Sequence, residues 1–257
     1  MRSYLLPFLL IAIAVGLIIQ TACAPIYVPP KVQAPLLSNA GEVHAAASMN
    51  ITGPSFDAQA AWSPYNHFGL YGDFSIATHD SSLPKAESHL RHAYGEGAIG
   101  WYTRIDDGTR VELLGGMGFG TTATIWYPQQ PTRFLYGPPN LQTDTQLYVA
   151  RGTYLRYFVQ GNWGTTRNVP DTVNTLSESG FALRAGWLQF IHLSDSTGND
   201  APRGTVFFEP AMFIRAGSRT VQIEVMGGSS LIFSQYRYDG STIFLQFGIH
   251  FMFGRGM

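Results

Sequence analysis

Thr242-Ile243-Phe244-Leu245-Gln246-Phe247-Gly248-Ile249-His250-Phe251-Met252-Phe253 places Ile243, Leu245, Phe247, Ile249, Phe251 and Phe253 at every second position. Thr242, Gln246, Gly248 and His250 fall in the opposite phase. Period two is the signature of a β-strand with two unlike faces, and one of these faces suits hydrocarbon. Working outward, Val221, Ile223 and Val225 alternate with Gln222 and Glu224, and Phe181, Leu183, Ala185 and Trp187 oppose Arg184. The same split recurs around Glu96, Glu112, Arg156, Glu209 and Arg215. Continuing the phase to the first strands places Glu42, His44, Asp57, Gln59, Tyr71 and Asp73 on the same polar face.

The pattern predicts ten strands, at about 41–51, 55–63, 67–78, 91–104, 109–123, 145–164, 177–192, 204–216, 220–233 and 241–253. Ser63-Pro64-Tyr65-Asn66, Asp106-Asp107-Gly108 and Gly217-Ser218-Arg219 read as tight turns, while the connections near 79–90, 124–144 and 193–203 are longer. Short and long connections alternate this way in outer-membrane barrels, with the short turns periplasmic. The stretch 165–176 is longer than that scheme expects, and the first loop shorter. Pro210, within a strand, predicts a bulge or a locally unpaired edge.

Alternation alone does not separate a membrane barrel from a soluble barrel or sandwich. Composition does. A solvated sheet surface is rich in charge, yet this chain has only Lys31 and Lys85 as lysines, and charged residues make up 13%. Burying the acids and arginines of the polar face in a soluble apolar core would cost several kcal/mol per unpaired ion. The expected fold is therefore all-β: an antiparallel up-and-down transmembrane barrel of about ten strands, apolar outside and polar within. Trp62, Trp101, Tyr102, Trp126, Tyr127, Trp163, Trp187, Tyr236 and Tyr238 fall near strand ends and are expected to form two interfacial girdles. A soluble periplasmic barrel is the opposing reading.

Residues 1–22 read as a cleaved lipoprotein signal: Arg2, then an apolar run from Tyr4 to Ile19, then Gln20-Thr21-Ala22 before Cys23, the one cysteine in the chain. Cys23 is the expected lipidation site, carrying covalent diacylglycerol and acyl chains. Residues 23–40, with Pro25, Pro29, Pro30 and Pro35, read as an extended tether, and residues 41–257 as the barrel.

Cys23-Ala24-Pro25-Ile26-Tyr27-Val28-Pro29, Arg156-Tyr157-Phe158-Val159-Gln160-Gly161-Asn162-Trp163-Gly164, Phe208-Glu209-Pro210-Ala211 and Ile214-Arg215-Ala216-Gly217 resemble segments of small outer-membrane β-barrel lipoproteins of the Bacteroidetes type. The resemblance implies an OmpA-like or porin-like barrel in the bacterial outer membrane and brings no catalytic residues. Ala24 after Cys23, with no acidic run following, resembles lipoproteins anchored on the periplasmic leaflet.

The net charge of −1 argues against nucleic acid as a partner. Outer-membrane lipid is the expected surrounding, and the loop 124–144, rich in proline and aromatics, is a candidate surface-ligand site. His89 and His92 lack a third ligand, so no metal is expected. His192 and Asp195 with Ser194 or Ser196 provide the residue types of an acyl-transfer site at the outer rim, the basis of an alternative reading as a lipid- or peptide-directed hydrolase. Asp195-Ser196-Thr197-Gly198 otherwise reads as turn chemistry. The central expectation lies in the polar face. Glu96, Glu112, Arg156, Arg184, Glu209, Arg215 and Glu224 form a lumenal charge network that either closes the lumen or lines a narrow or gated path. Ten strands lie far below the roughly 16–18 of open porins.

Overall fold

The computed structural model of the chain describes residues 27–51, 55–83, 86–126, 148–168, 175–195, 204–233 and 242–254. Ten antiparallel strands follow in order: β1 Val43–Asn50, β2 Ser55–Tyr65, β3 Phe68–Leu83, β4 Ala86–Arg104, β5 Thr109–Trp126, β6 Tyr148–Asn168, β7 Thr175–Asp195, β8 Thr205–Ser218, β9 Val221–Phe233 and β10 Thr242–Phe253. Each pairs with its neighbours in sequence, and β1 pairs with β10, so the sheet closes with no free edge. Closure removes the unpaired backbone groups that make an open sheet edge costly.

The alternation read from the last strand holds around the wall. Ile249 and Phe247 on β10, Ile223 on β9, Ile214 on β8, Leu183 on β7, Val159 on β6 and Leu113 on β5 are exposed on the outside. Their sequence neighbours, among them His250, Glu224, Arg215, Arg184, Gln160 and Glu112, are buried inside. Trp62, Trp101, Trp163 and Trp187 lie on the outer surface as expected of girdle residues. Tyr102 does not: its ring is lumenal, and its hydroxyl lies 2.6 Å from Ser63 Oγ. An even-numbered position on β4 points inward there, so a place near a strand end did not decide its face. The side chain of Trp126, and Tyr127, Tyr236 and Tyr238, lie outside the described residues.

Two connections differ from expectation. Most of the loop expected near 79–90 is strand: residues 79–83 and 86–90 belong to β3 and β4, which stay paired from Phe68 opposite Trp101 to Leu83 opposite Ala86. The long turn expected at 165–176 shrinks because β6 runs to Asn168 and β7 starts at Thr175. The polar run His79-Asp80-Ser81-Ser82 reads as loop because it lacks the apolar alternation, but once a hairpin projects past the apolar band, backbone pairing needs none. At Pro210 the ladder to β9 lapses between Phe208 opposite Leu231 and Ala211 opposite Gly228, with the register unchanged. The missing N–H thus costs a local gap, without a bulge.

The largest difference concerns the proline-rich segment. Residues 27–37 are not a tether in water; they run inside the barrel and are buried throughout. Three clusters of buried apolar residues fill the interior, and each includes this segment: Val32, Ala34 and Leu36 pack with Phe213 and Phe244, Tyr27 with Tyr154 and Phe207, and Leu37 with Tyr71 and Leu114. A ten-stranded wall encloses more width than its own side chains fill. An extended segment with no internal hydrogen bonds can occupy that space and offer its peptide groups to the wall.

Crowding inside the lumen is visible at two glycines on β5. Gly118 and Gly120 lie beneath the rings of Tyr94 and Tyr154, and a Cβ at Gly120 would stand 2.5 Å from the Tyr154 hydroxyl. Gly120→Ala is therefore expected to cost about 1–3 kcal/mol, read as a lower denaturant midpoint of the refolded barrel. An unchanged midpoint would show that the ring yields freely.

Candidate functional site: the plugged lumen

The N-terminal segment crosses the lumen and is bonded along its length. Tyr27 donates from its hydroxyl to Glu209 Oε1 at 3.2 Å and meets the Tyr154 ring edge-on at 5.7 Å. The Lys31 backbone N–H donates to Asp57 Oδ1 at 3.1 Å, its carbonyl accepts from Gln59 Nε2 at 3.3 Å, and its ammonium is paired with Glu224. The Gln33 carbonyl accepts from Asn162 Nδ2 at 3.0 Å and also from Gln160. Arg215 donates to the Ala34 carbonyl at 2.6 Å, and the Leu37 N–H donates to Glu112 Oε1 at 2.8 Å. The contacts come from β2, β5, β6, β8 and β9, so the wall holds the segment from several sides. Beside Gln33 and Pro35, bounded by His44, Gln59, Arg215 and His250, the free space is about 10 Å³, room for about one water.

All seven residues expected in the charge network lie in this interior, in two groups. Toward the end with the long connections, Arg156 pairs with Glu209 and lies 3.7 Å from Glu96, while Arg184 reaches Glu96 Oε1 at 2.9 Å. Nearer the short-turn end, Arg215 pairs with Glu224 and lies 3.6 Å from Glu178, and Glu112 accepts from Leu37 and from Asn162 at 2.7 Å. Each of three arginines also rests on a phenylalanine ring: Arg156 on Phe207 at 4.2 Å, Arg184 on Phe158 at 4.4 Å and Arg215 on Phe213 at 4.5 Å. Planar guanidiniums suit a crowded lumen because they can stack and donate at once.

Sequence reasoning left six charged residues of this interior out of the network: Lys31, Glu42, Asp57, Asp73, Arg110 and Glu178. Arg110 and Glu178 pair at 3.2 Å, and both share the phase of the network residues on their own strands, which is the signal that would have found them. Glu42, Asp57 and Asp73 share the polar face by phase without standing in the expected network. Lys31 had no strand to give it a phase; its signal was its isolation as a lysine within an apolar, proline-rich run.

His89 and His92 both stand on β4, which begins earlier than the expected strand at 91–104. Three residues apart on a strand, they face opposite sides: His89 is exposed, and His92 is lumenal with Nε2 2.5 Å from the Tyr154 hydroxyl. Among the described residues no group of three or more His, Cys, Asp or Glu is arranged to hold a metal ion. His192 and Ser194 are exposed near the end of β7, while the Asp195 side chain and Ser196 lie outside the described residues. Cys23, residues 1–22 and the part of the 124–144 loop after Trp126 also lie outside them.

At the short-turn mouth, Glu42 precedes β1 and gathers the end of the segment. Its carboxylate accepts from the Ser38 N–H at 2.8 Å, the Ser38 hydroxyl at 2.7 Å and Asn39 Nδ2 at 2.9 Å. Burial opposes its ionisation, but bonds from His44 and Ser38 outweigh burial and hold its pKa at about 2. A folded-state pKa below the unfolded value near 4.5 stabilises the fold above that value, and the contribution disappears as pH falls toward 2. The unfolding midpoint is expected to drop between pH 4.5 and 2, with Glu42→Gln flattening that part of the profile. Identical profiles for both proteins would count against the role of Glu42 in holding the segment.

No family model matches the chain, and no curated protein matches it. Among solved structures it is similar to LpxR from Salmonella typhimurium, with 8% identity and a TM-score of 0.39 over 82% of this chain and 99% of that one. It is similar to the translocator domain of the autotransporter NalP from Neisseria meningitidis, with 13% identity and a TM-score of 0.35 over 82% and 86%. It is also similar to the transport unit of the autotransporter AIDA-I from Escherichia coli, with 9% identity and a TM-score of 0.31 over 82% and 88%. These likenesses assign no role to any residue of the chain.

Proposed function

We propose that the protein is an outer-membrane β-barrel whose lumen is closed at rest by its own N-terminal segment, so that it acts as a membrane-embedded interaction body with a gated path rather than an open pore. The observation that carries this reading is the sharing of all three interior clusters between residues 27–37 and the wall. Membrane placement is supported by the uncharged outer faces of β8, β9 and β10, where Met212, Ile214, Ile223, Val225, Phe247 and Ile249 are exposed. Contiguous exposed apolar faces of this kind are rare on soluble monomers. Planar bilayers containing the refolded protein are expected to show no current above background across a range of salts. A steady open-channel current from the intact chain would sink the closed-barrel reading.

Diacylglycerol attachment at Cys23 belongs to this reading, supported by the leader pattern. Tyr27 lies beside His92 and Tyr154, in the half of the lumen toward the long connections. Four residues reach at most about 14 Å. So short a reach from Tyr27 supports an anchor in the leaflet at the long-connection end. Metabolic labelling with a fatty acid should be lost in Cys23→Ser, and labelling that persists would refute lipidation at this residue.

A further inference from the structure

Among the described residues, two arginines stand on the outer surface of the wall near the long-connection end. Arg91 on β4 and Arg151 on β6 are exposed, whereas the next residues, His92 and Gly152, are buried in the lumen, so both guanidiniums face outward. One row of the ladder joins them: Arg91 lies opposite Ala123, and Ala123 opposite Arg151. Two strand spacings therefore separate them, about 9–10 Å, with only a methyl group between. Neither forms an ion pair with another described residue, in contrast to the lumenal arginines.

Their height on the barrel is what gives the pair meaning. Trp101 and Trp163 are exposed near the short-turn ends of the same two strands. Ten residues of β4 separate Trp101 from Arg91, and twelve residues of β6 separate Trp163 from Arg151. With a rise of about 3.4 Å per residue and a tilt near 40°, these intervals are about 25 and 30 Å along the barrel axis. The apolar band of such a barrel is about 25 Å tall. If the tryptophans mark one interface, the arginines lie just past the other, at the level of lipid phosphates. Phe119 and Tyr157, exposed below them, provide a surface for acyl chains.

We propose that Arg91 and Arg151 form a binding site for a phosphate-bearing lipid of the leaflet at the long-connection end. This rests on the membrane placement proposed above. Each guanidinium presents a planar fork that fits phosphate oxygens, and the 9–10 Å spacing lets two forks converge on one headgroup from opposite sides. An isolated interfacial arginine would serve only as an anchor; two in one row on a face without described carboxylates make a focused positive site.

The test uses the full chain folded into vesicles of phosphatidylcholine, alone or with phosphatidic acid as the phosphomonoester probe. After extraction into neutral detergent, retained lipid is measured by native mass spectrometry and titrated for affinity. Arg91→Gln and Arg151→Gln are each expected to weaken phosphatidic acid binding roughly fivefold, since an interfacial arginine is worth about 1 kcal/mol. The double variant should lose roughly twenty-fivefold, while phosphatidylcholine retention stays unchanged. Equal phosphatidic acid affinity in wild type and double variant overturns the site alone. Displacement of the lipid by millimolar inorganic phosphate overturns the lipid assignment. Failure of the wild type to fold into phosphatidylcholine vesicles overturns the membrane placement, and the site with it.

Discussion

Replacing residues 27–37 by a Gly/Ser segment of equal length is expected to turn a silent barrel into a conducting one and to lower its stability steeply. Tyr27, Val32, Leu36 and Leu37 are all buried against the wall, and full burial of such side chains stabilises by about 1.5–3 kcal/mol each. Because the unfolded chain already hides part of that surface, the expected loss is about 5–10 kcal/mol in total. The current should also carry a sign. Among the described residues seven buried carboxylates stand against five buried Lys and Arg side chains, and Lys31 leaves with the segment. The emptied wall keeps an acidic excess, so reversal potentials should report cation selectivity. The measurement pairs single-channel recording with a heat-modifiability gel: a variant that retains the folded-barrel shift yet passes no current would mean that the wall closes without its plug.

Arg156→Met is the point substitution expected to cost most. Its guanidinium is fully buried, paired with Glu209, 3.7 Å from Glu96 and stacked on Phe207. Removing one partner of a buried pair leaves the other uncompensated, which costs about 3–5 kcal/mol. Glu209 would keep Tyr27 and Ser230 as hydroxyl donors at 3.2 and 3.0 Å but lose its cation. Adding Glu209→Gln removes the stranded charge, so the double variant should recover most of the loss. Denaturant midpoints of the four proteins in one lipid give the coupling directly. Additive losses would show that packing on the aromatic rings, and not the ion pair, makes Arg156 necessary.

How far the primary structure reached depended on whether a residue sat on a strand. Glu112, Arg184, Glu224 and His250 could be assigned to the interior because a neighbour at i±1 was apolar and had to face outward; period two transmits one residue's environment to the whole strand. The hairpin of β3 and β4 reads short in the sequence because His79 to Ser82 carry no such contrast, and pairing outside the hydrocarbon band does not require it. Arg91 and Arg151 were legible as outward positions, but their alignment through Ala123 depends on the register of three strands, which no single strand encodes.

The chain's own alternation, its scarcity of lysine and its tight turns determined an antiparallel barrel of ten strands, apolar outside and charged within, because each rests on relations between residues close in sequence. Tertiary structure alone decided what the charges do. Lys31, Gln33, Ala34 and Leu37 meet Glu224, Asn162, Arg215 and Glu112 across separations of many tens of residues. A proline-rich segment looks the same by composition whether it hangs in water or threads a lumen. Only closure of the wall creates the space to be filled and the unpaired donors and acceptors that draw the segment into it.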